Sequence, residues 1–121
     1  MISGVAGTII WTENFPKLLR FYQMIFASEP KSIKGQFASF DFGSTKFGLG
    51  THSEIEGVSK EKFRVMINLN TKDIFDEYRR IKDLGVKFIR VPEKENWGGW
   101  VATFLDPDHN VIQLIQQFDV E

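Results

Sequence analysis

Histidine, the residue best suited to acid–base or metal chemistry near neutral pH, occurs only at positions 52 and 109. His52 sits at the end of a strand-like run and His109 inside a turn, and they form no His-x-His pair that would aim two donors the same way. A lone histidine in a turn is ordinarily a solvated one. The chain has no cysteine, which excludes disulfides, thiolate metal sites and cysteine nucleophiles. No Ser-His-Asp set, phosphate-cradling glycine loop or zinc spacing occurs. Asp106 and Asp108 resemble a carboxylate pair, but the segment Asp106-Pro-Asp-His-Asn110 already needs them as turn formers, with Asn110 expected in the left-handed conformation.

What remains is aromatic and amide chemistry. The chain holds 12 phenylalanines and 3 tryptophans. Trp97-Gly-Gly-Trp100 frames two glycines with two indoles, a platform able to stack on a planar ligand. Trp11 has the same double reading, ligand contact or core. Asn68, central in a strand, needs a partner from a neighbouring strand or a ligand. Arg64 and Lys46 suit an anionic ligand or a solvated strand end. Glu93-Lys-Glu95 reads as a solvated loop.

These residues lie on an internal repeat. Asp41 to Leu49 lines up without a gap on Asp106 to Leu114, sixty-five residues later. Gly7 to Ile25 lines up with Met66 to Leu84, fifty-nine residues later, pairing Asn14 with Asp73. The six-residue difference assigns the second copy a longer connection, near Asn96–Trp100. Two copies are too few for a solenoid, so a fused pair is expected.

Each copy reads as βαβββ. Strands are expected over 5–12, 29–34, 36–42 and 45–52, then 63–70, 86–92, 100–105 and 110–117. Helices begin at Asn14 and Asp73. The first buries Phe15, Leu18, Leu19, Tyr22, Ile25 and Phe26. The second buries Ile74, Tyr78, Ile81 and Leu84, and Gly85 ends it. Strand parity puts Val65, Ile67 and Leu69 toward the helix and Arg64, Met66, Asn68 and Asn70 away from it. Phe47, Leu49, Ile112 and Leu114 face a helix; Lys46, Gly48, Gly50, Val111, Gln113 and Ile115 do not. By the repeat, Val5, Gly7, Ile9 and Trp11 join the far face. Glycines in a strand interior often mark close approach by another group, sometimes a ligand; the alternative is a bulge or a dimer contact.

A chain of 121 residues with net charge −1 is expected to be one domain (1–121), with modules of about 1–56 and 61–121. Charges are scattered, so no nucleic-acid footprint is seen. No apolar run reaches membrane-spanning length, and the N-terminus does not read as a signal peptide. A cytoplasmic protein is expected.

Two βαβββ copies ending in Phe104-Leu-Asp-Pro-Asp-His-Asn-Val-Ile-Gln-Leu-Ile-Gln116, with Phe21-Tyr22 in the first helix, resemble the vicinal oxygen chelate superfamily (glyoxalase, bleomycin resistance protein and dioxygenase). The resemblance covers nearly the whole chain. It implies an α+β fold in which two modules form a curled mixed sheet with a central cleft and the helices outside. It also implies that metal-dependent members take ligands from the first and last strands of each module. The repeat places those positions at Gly7, Gly48, Met66 and Gln113. Glycine has no donor, and a thioether is a soft ligand. A metal-free member is therefore expected, with no cofactor, like the sequestering proteins of the bleomycin-resistance type. It would bind an aromatic or amphipathic small molecule through Trp11, Arg64, Met66, Asn68, Trp97, Trp100, Phe104 and Gln113. By the same resemblance it would be a homodimer. The alternatives are a metal-dependent lyase, isomerase or dioxygenase of the same superfamily, and a regulatory or structural module without a small ligand.

Overall fold

The computed structural model describes residues 1–117. The chain divides into two compact units, Met1–Gly57 and Val58–Glu121. The first contains β1 (Gly7–Thr12), α1 (Phe15–Phe26), β2 (Ser32–Lys34), β3 (Phe37–Asp41) and β4 (Lys46–Thr51). Its sheet has the order β1-β4-β3-β2. β1 runs parallel to β4, and the remaining pairs are antiparallel. The second unit contains β5 (Met66–Asn70), α2 (Ile74–Asp83), β6 (Phe88–Lys94), β7 (Trp100–Leu105) and β8 (Val111–Gln116). Its order, β5-β8-β7-β6, is the same topology. Each unit is thus a βαβββ module, and the fold is α+β with two tandem modules.

The strand-to-helix turn recurs with the same chemistry. Thr12 Oγ1 accepts the Asn14 N–H (3.0 Å), and Asn14 Oδ1 accepts the Lys17 N–H (3.2 Å). In the second unit Thr71 Oγ1 accepts from Asp73, whose Oδ1 accepts the N–H groups of Phe75 and Asp76 at 3.1 Å. These bonds satisfy amides that the first helical turn leaves bare. Past the caps, α1 buries Phe15, Leu18, Tyr22 and Ile25. The Tyr22 ring meets Phe47 of β4 at 4.9 Å. α2 is shorter and buries Ile74 and Ile81 against a sheet face that includes Ala102, Phe104, Ile112 and Leu114.

The parallel ladders show that the modules are true counterparts. Gly7 pairs with Lys46, thirty-nine residues on, and Met66 with Val111, forty-five residues on. The difference is the six residues by which the two repeat spacings disagree.

The hairpins correct the gapless alignment. Phe42 N–H bonds to Thr45 in the first turn, and Asp106 N–H to Asn110 in the second, so the second turn is one residue longer. Phe40 pairs with Phe47, and Phe104 with Ile112. The counterpart of Phe40 is therefore Phe104, and that of Ser39 is Thr103. Because strand faces alternate, a one-residue slip exchanges the two faces of β7.

Other boundaries also move. β5 starts at Met66, so Arg64 and Val65 precede the strand, and Val65 is exposed rather than turned to the helix. Leu84 caps α2 and is exposed, not buried. β2 is only three residues long and β6 starts at Phe88. The turn after β7 takes its positive φ at His109 (65°), not at Asn110. Asp106 accounts for this: Oδ1 accepts the N–H groups of Asp108 and Asn110, and Oδ2 accepts from the Asn110 amide, each at 2.9 Å. Asn110 is thereby committed to closing the loop, and the bend falls one residue earlier.

Candidate functional site

The sheet of each unit has one face on its helix and one turned away from it. On the far face of the first unit, Ile9, Gly48 and Ser39 form one cross-strand row and Trp11, Gly50 and Phe37 the next. The glycines do not leave open space. A Cβ at Gly48 would come 2.8 Å from Phe37, and one at Gly50 would come 2.6 Å from Phe37 and 2.7 Å from Trp11. The protein's own rings lie over them. Trp11 stays 38 % exposed, with ring centroids 5.9 Å from Phe37 and 5.4 Å from His52. His52 Nδ1 accepts the Glu54 N–H at 3.1 Å, so its ring is anchored beside the indole. The result is a partly exposed aromatic surface.

At one end of this face Asp41 lies opposite Lys46. Its carboxyl is held below the ordinary 3.8, first by the Gly43 N–H, then by Lys31 and Lys46. The Gly43 bond is 2.8 Å and the Lys31 contact 3.1 Å. The charges there are matched with one another.

The far face of the second unit carries a polar central row flanked by apolar residues, Met66, Val111 and Leu105 on one side and Ile115 and Val101 on the other. Asn68, Gln113, Thr103 and Arg90 occupy one row across all four strands. Gln113 Nε2 donates to Thr103 Oγ1 at 3.3 Å, and Gln117 Nε2 to Asn70 Oδ1 at 3.0 Å. Met66 and Asn68 are exposed and Gln113 half-buried. Arg90 bonds to Glu95 (2.7 Å) and Glu93 (3.2 Å). Those bonds, Glu95's first, raise the guanidinium pKa above its already high ordinary value.

The expected contacts thus divide. Trp11 sits on the first unit's far face, and Met66, Asn68 and Gln113 on the second's. Trp100 and Phe104 lie on the opposite side of β7. Trp100 packs edge-on against Phe75 of α2 at 5.1 Å. Phe104 is fully buried against Phe88, which in turn meets Tyr78 of α2. The extra turn residue puts them there. Arg64 is exposed in the segment before β5, its Nε donating to Glu61 at 2.8 Å. Trp97 is exposed at the β6–β7 hairpin, where its ring covers Gly99. Reasoning from sequence missed Phe37, His52, Thr103 and Arg90. For His52 the signal was present, since it shares strand parity with Gly48 and Gly50.

The family model described as Glyoxalase/Bleomycin resistance protein/Dioxygenase superfamily matches residues 4–114. The chain belongs to this superfamily. Among its relatives, the protein YraH of Bacillus subtilis (strain 168) is 28 % identical over 113 residues, covering 84 % of this chain and 88 % of that one. A bleomycin resistance protein of Klebsiella pneumoniae is 34 % identical over 55 residues, covering 40 % of this chain and 44 % of that one. The crystal structure of a glyoxalase/bleomycin resistance protein/dioxygenase family enzyme from Burkholderia phytofirmans PsJN superposes with TM-score 0.75 at 19 % identity. That match covers 93 % of this chain and 98 % of the other and speaks for the fold.

For this glyoxalase-superfamily chain, the four strand positions where metal ligands were expected do not fit a catalytic divalent ion. Gly7 and Gly48 carry no donor. At Gly7 a Cβ would meet the Lys46 carbonyl oxygen at 2.5 Å, so the backbone itself opposes a side chain there. Met66 offers only a soft thioether, and Gln113 a single amide oxygen, its NH2 donating to Thr103. A catalytic zinc takes about three protein ligands. Among the described residues no cluster of three or more His, Cys, Asp or Glu is placed to hold a metal. No described helix is long and apolar enough to cross a membrane.

Proposed function

We propose that this superfamily member binds or sequesters an aromatic or amphipathic small molecule without metal chemistry. The observation that carries this reading is Trp11, a large indole braced by Phe37 and His52 yet still exposed on a sheet face. An apolar ring held rigid at the surface loses little conformational freedom when it stacks on a ligand. On the second unit's own far face, Asn68 and Gln113 offer hydrogen-bonding groups and Met66 an adaptable apolar contact. The poor donor set at Gly7, Gly48, Met66 and Gln113 turns the reading away from metal-dependent lyase, isomerase or dioxygenase chemistry. The limited match to the Klebsiella bleomycin resistance protein supports a binding role by analogy.

A cytoplasmic homodimer completes the proposal; exposed apolar residues such as Ile9, Ile89 and Val91 support burial against a partner copy. The second reading is a regulatory or structural module. It draws support from the rings that fill the space above Gly48 and Gly50.

A tryptophan-fluorescence screen of aromatic compounds, run in chelator on the intact chain and on Trp11→Ala, separates these readings. Saturable binding that Trp11→Ala weakens supports the proposal. Silence across the screen favours the structural module.

A further inference from the structure

We infer that the polar row on the far face of the second unit binds an uncharged hydrogen-bonding group of a small molecule, an amide or hydroxyl, and discriminates against ions. The inference rests on the ligand-binding reading above and names the chemistry of the ligand's polar part.

The row Asn68–Gln113–Thr103–Arg90 presents two amides, one hydroxyl and one guanidinium in register. Thr103 is buried, and its hydroxyl accepts from Gln113, which fixes that amide while leaving its carbonyl oxygen as an acceptor. Asn68 is exposed and offers both a donor and an acceptor. The only ionic group in the row, Arg90, is held by two carboxylates at 2.7 and 3.2 Å. Asn70, in the next row, is bonded to Gln117. No cation in the row is left to receive a ligand carboxylate. The two carboxylates beside it already serve Arg90.

An ion on this row would meet amides and no free counter-charge, so nothing there would offset the hydration it gives up. A neutral amide or hydroxyl would exchange hydrogen bonds to water for hydrogen bonds to Asn68 and Gln113 with little net loss. The face therefore selects by charge, and the two amides are its specificity-determining residues.

Three probes sharing one ring test this: indole-3-acetamide, indole-3-acetate and tryptamine. Each is titrated into the full chain labelled with nitrogen-15, following the side-chain NH2 signals of Asn68 and Gln113. The expected result is that the amide shifts both signals and binds at least about tenfold more tightly than either ion. Asn68→Asp and Gln113→Glu should then move the preference toward tryptamine. That reversal is not expected of residues with a merely structural role, and an unchanged melting temperature confirms that each variant is folded. Equal or tighter binding by an ion to the unmodified chain, or binding of the amide that leaves both signals in place, overturns the inference alone. Silence from all three probes overturns it together with the ligand-binding reading.

Discussion

Trp11 and Phe37 converge over Gly50, their ring centroids 5.9 Å apart, and together they occupy the space a side chain at position 50 would need. The glycine is thus what lets the two rings settle on the sheet. Gly50→Ala should push both rings outward and destabilise the protein by about 1–3 kcal/mol, the usual penalty of overpacking. Ligand affinity should fall with it, and the Trp11 emission should shift. Chemical denaturation and fluorescence titration read the two effects.

Trp100 and Phe104 lie on the side of β7 that faces α2, Trp100 against Phe75 and Phe104 fully buried. Phe104→Ala should cost about 3–5 kcal/mol, because it empties a fully buried site. Asn68→Ala, at an exposed position, should change stability by less than about 0.5 kcal/mol while weakening ligand binding. Urea melts of the two variants, with ligand titration of Asn68→Ala, check this division.

Much of this fold is written in local pattern. Asn14 and Asp73 announce both helices, the tyrosine and phenylalanine stripe of α1 names its buried face, and the repeat yields the topology. The faces of β7 are not legible in this way. The repeat appears gapless across the hairpins, yet one extra turn residue between Leu105 and Val111 reverses which side chains look away from the helix. The glycines at 48 and 50 were read correctly as close approach but not as approach by the protein's own rings, because contact between Phe37 and Trp11 depends on register across three strands. Arg90 was hidden by the bulges in β6, where the pairing shifts between Phe88 and Arg90 and again before Glu93. Of the candidate site, Trp11, Met66, Asn68 and Gln113 were placed by parity alone.

Gln116 ties β8 to α2. Its Oε1 accepts the Ile74 N–H at 2.8 Å in a buried setting. Gln116→Ala should leave that amide without its acceptor and destabilise the second unit by about 1–3 kcal/mol. Hydrogen exchange at Ile74 should quicken more than the loss of global stability accounts for.

Acid should weaken the fold through Asp41 and Asp73. Both have folded-state pKa values below the ordinary 3.8, Asp41 chiefly through the Gly43 N–H and Asp73 chiefly through the Asp76 N–H. A depressed carboxylate contributes stability that is complete above its unfolded value and is lost as pH falls through its folded value. Asp73→Asn should therefore melt below the unmodified protein near neutrality, and the gap should narrow as pH drops under about 4. Thermal melts across that range test the sign.

The central claim, ligand binding through Trp11 without a metal, is tested most directly by calorimetry. An aromatic compound found in the fluorescence screen is titrated into chelator-treated protein, with and without added zinc or manganese. The account predicts saturable binding of unchanged affinity in both conditions, lost in Trp11→Ala. Binding that appears only once the metal is restored would contradict it and place this chain among the metal-dependent members of its superfamily.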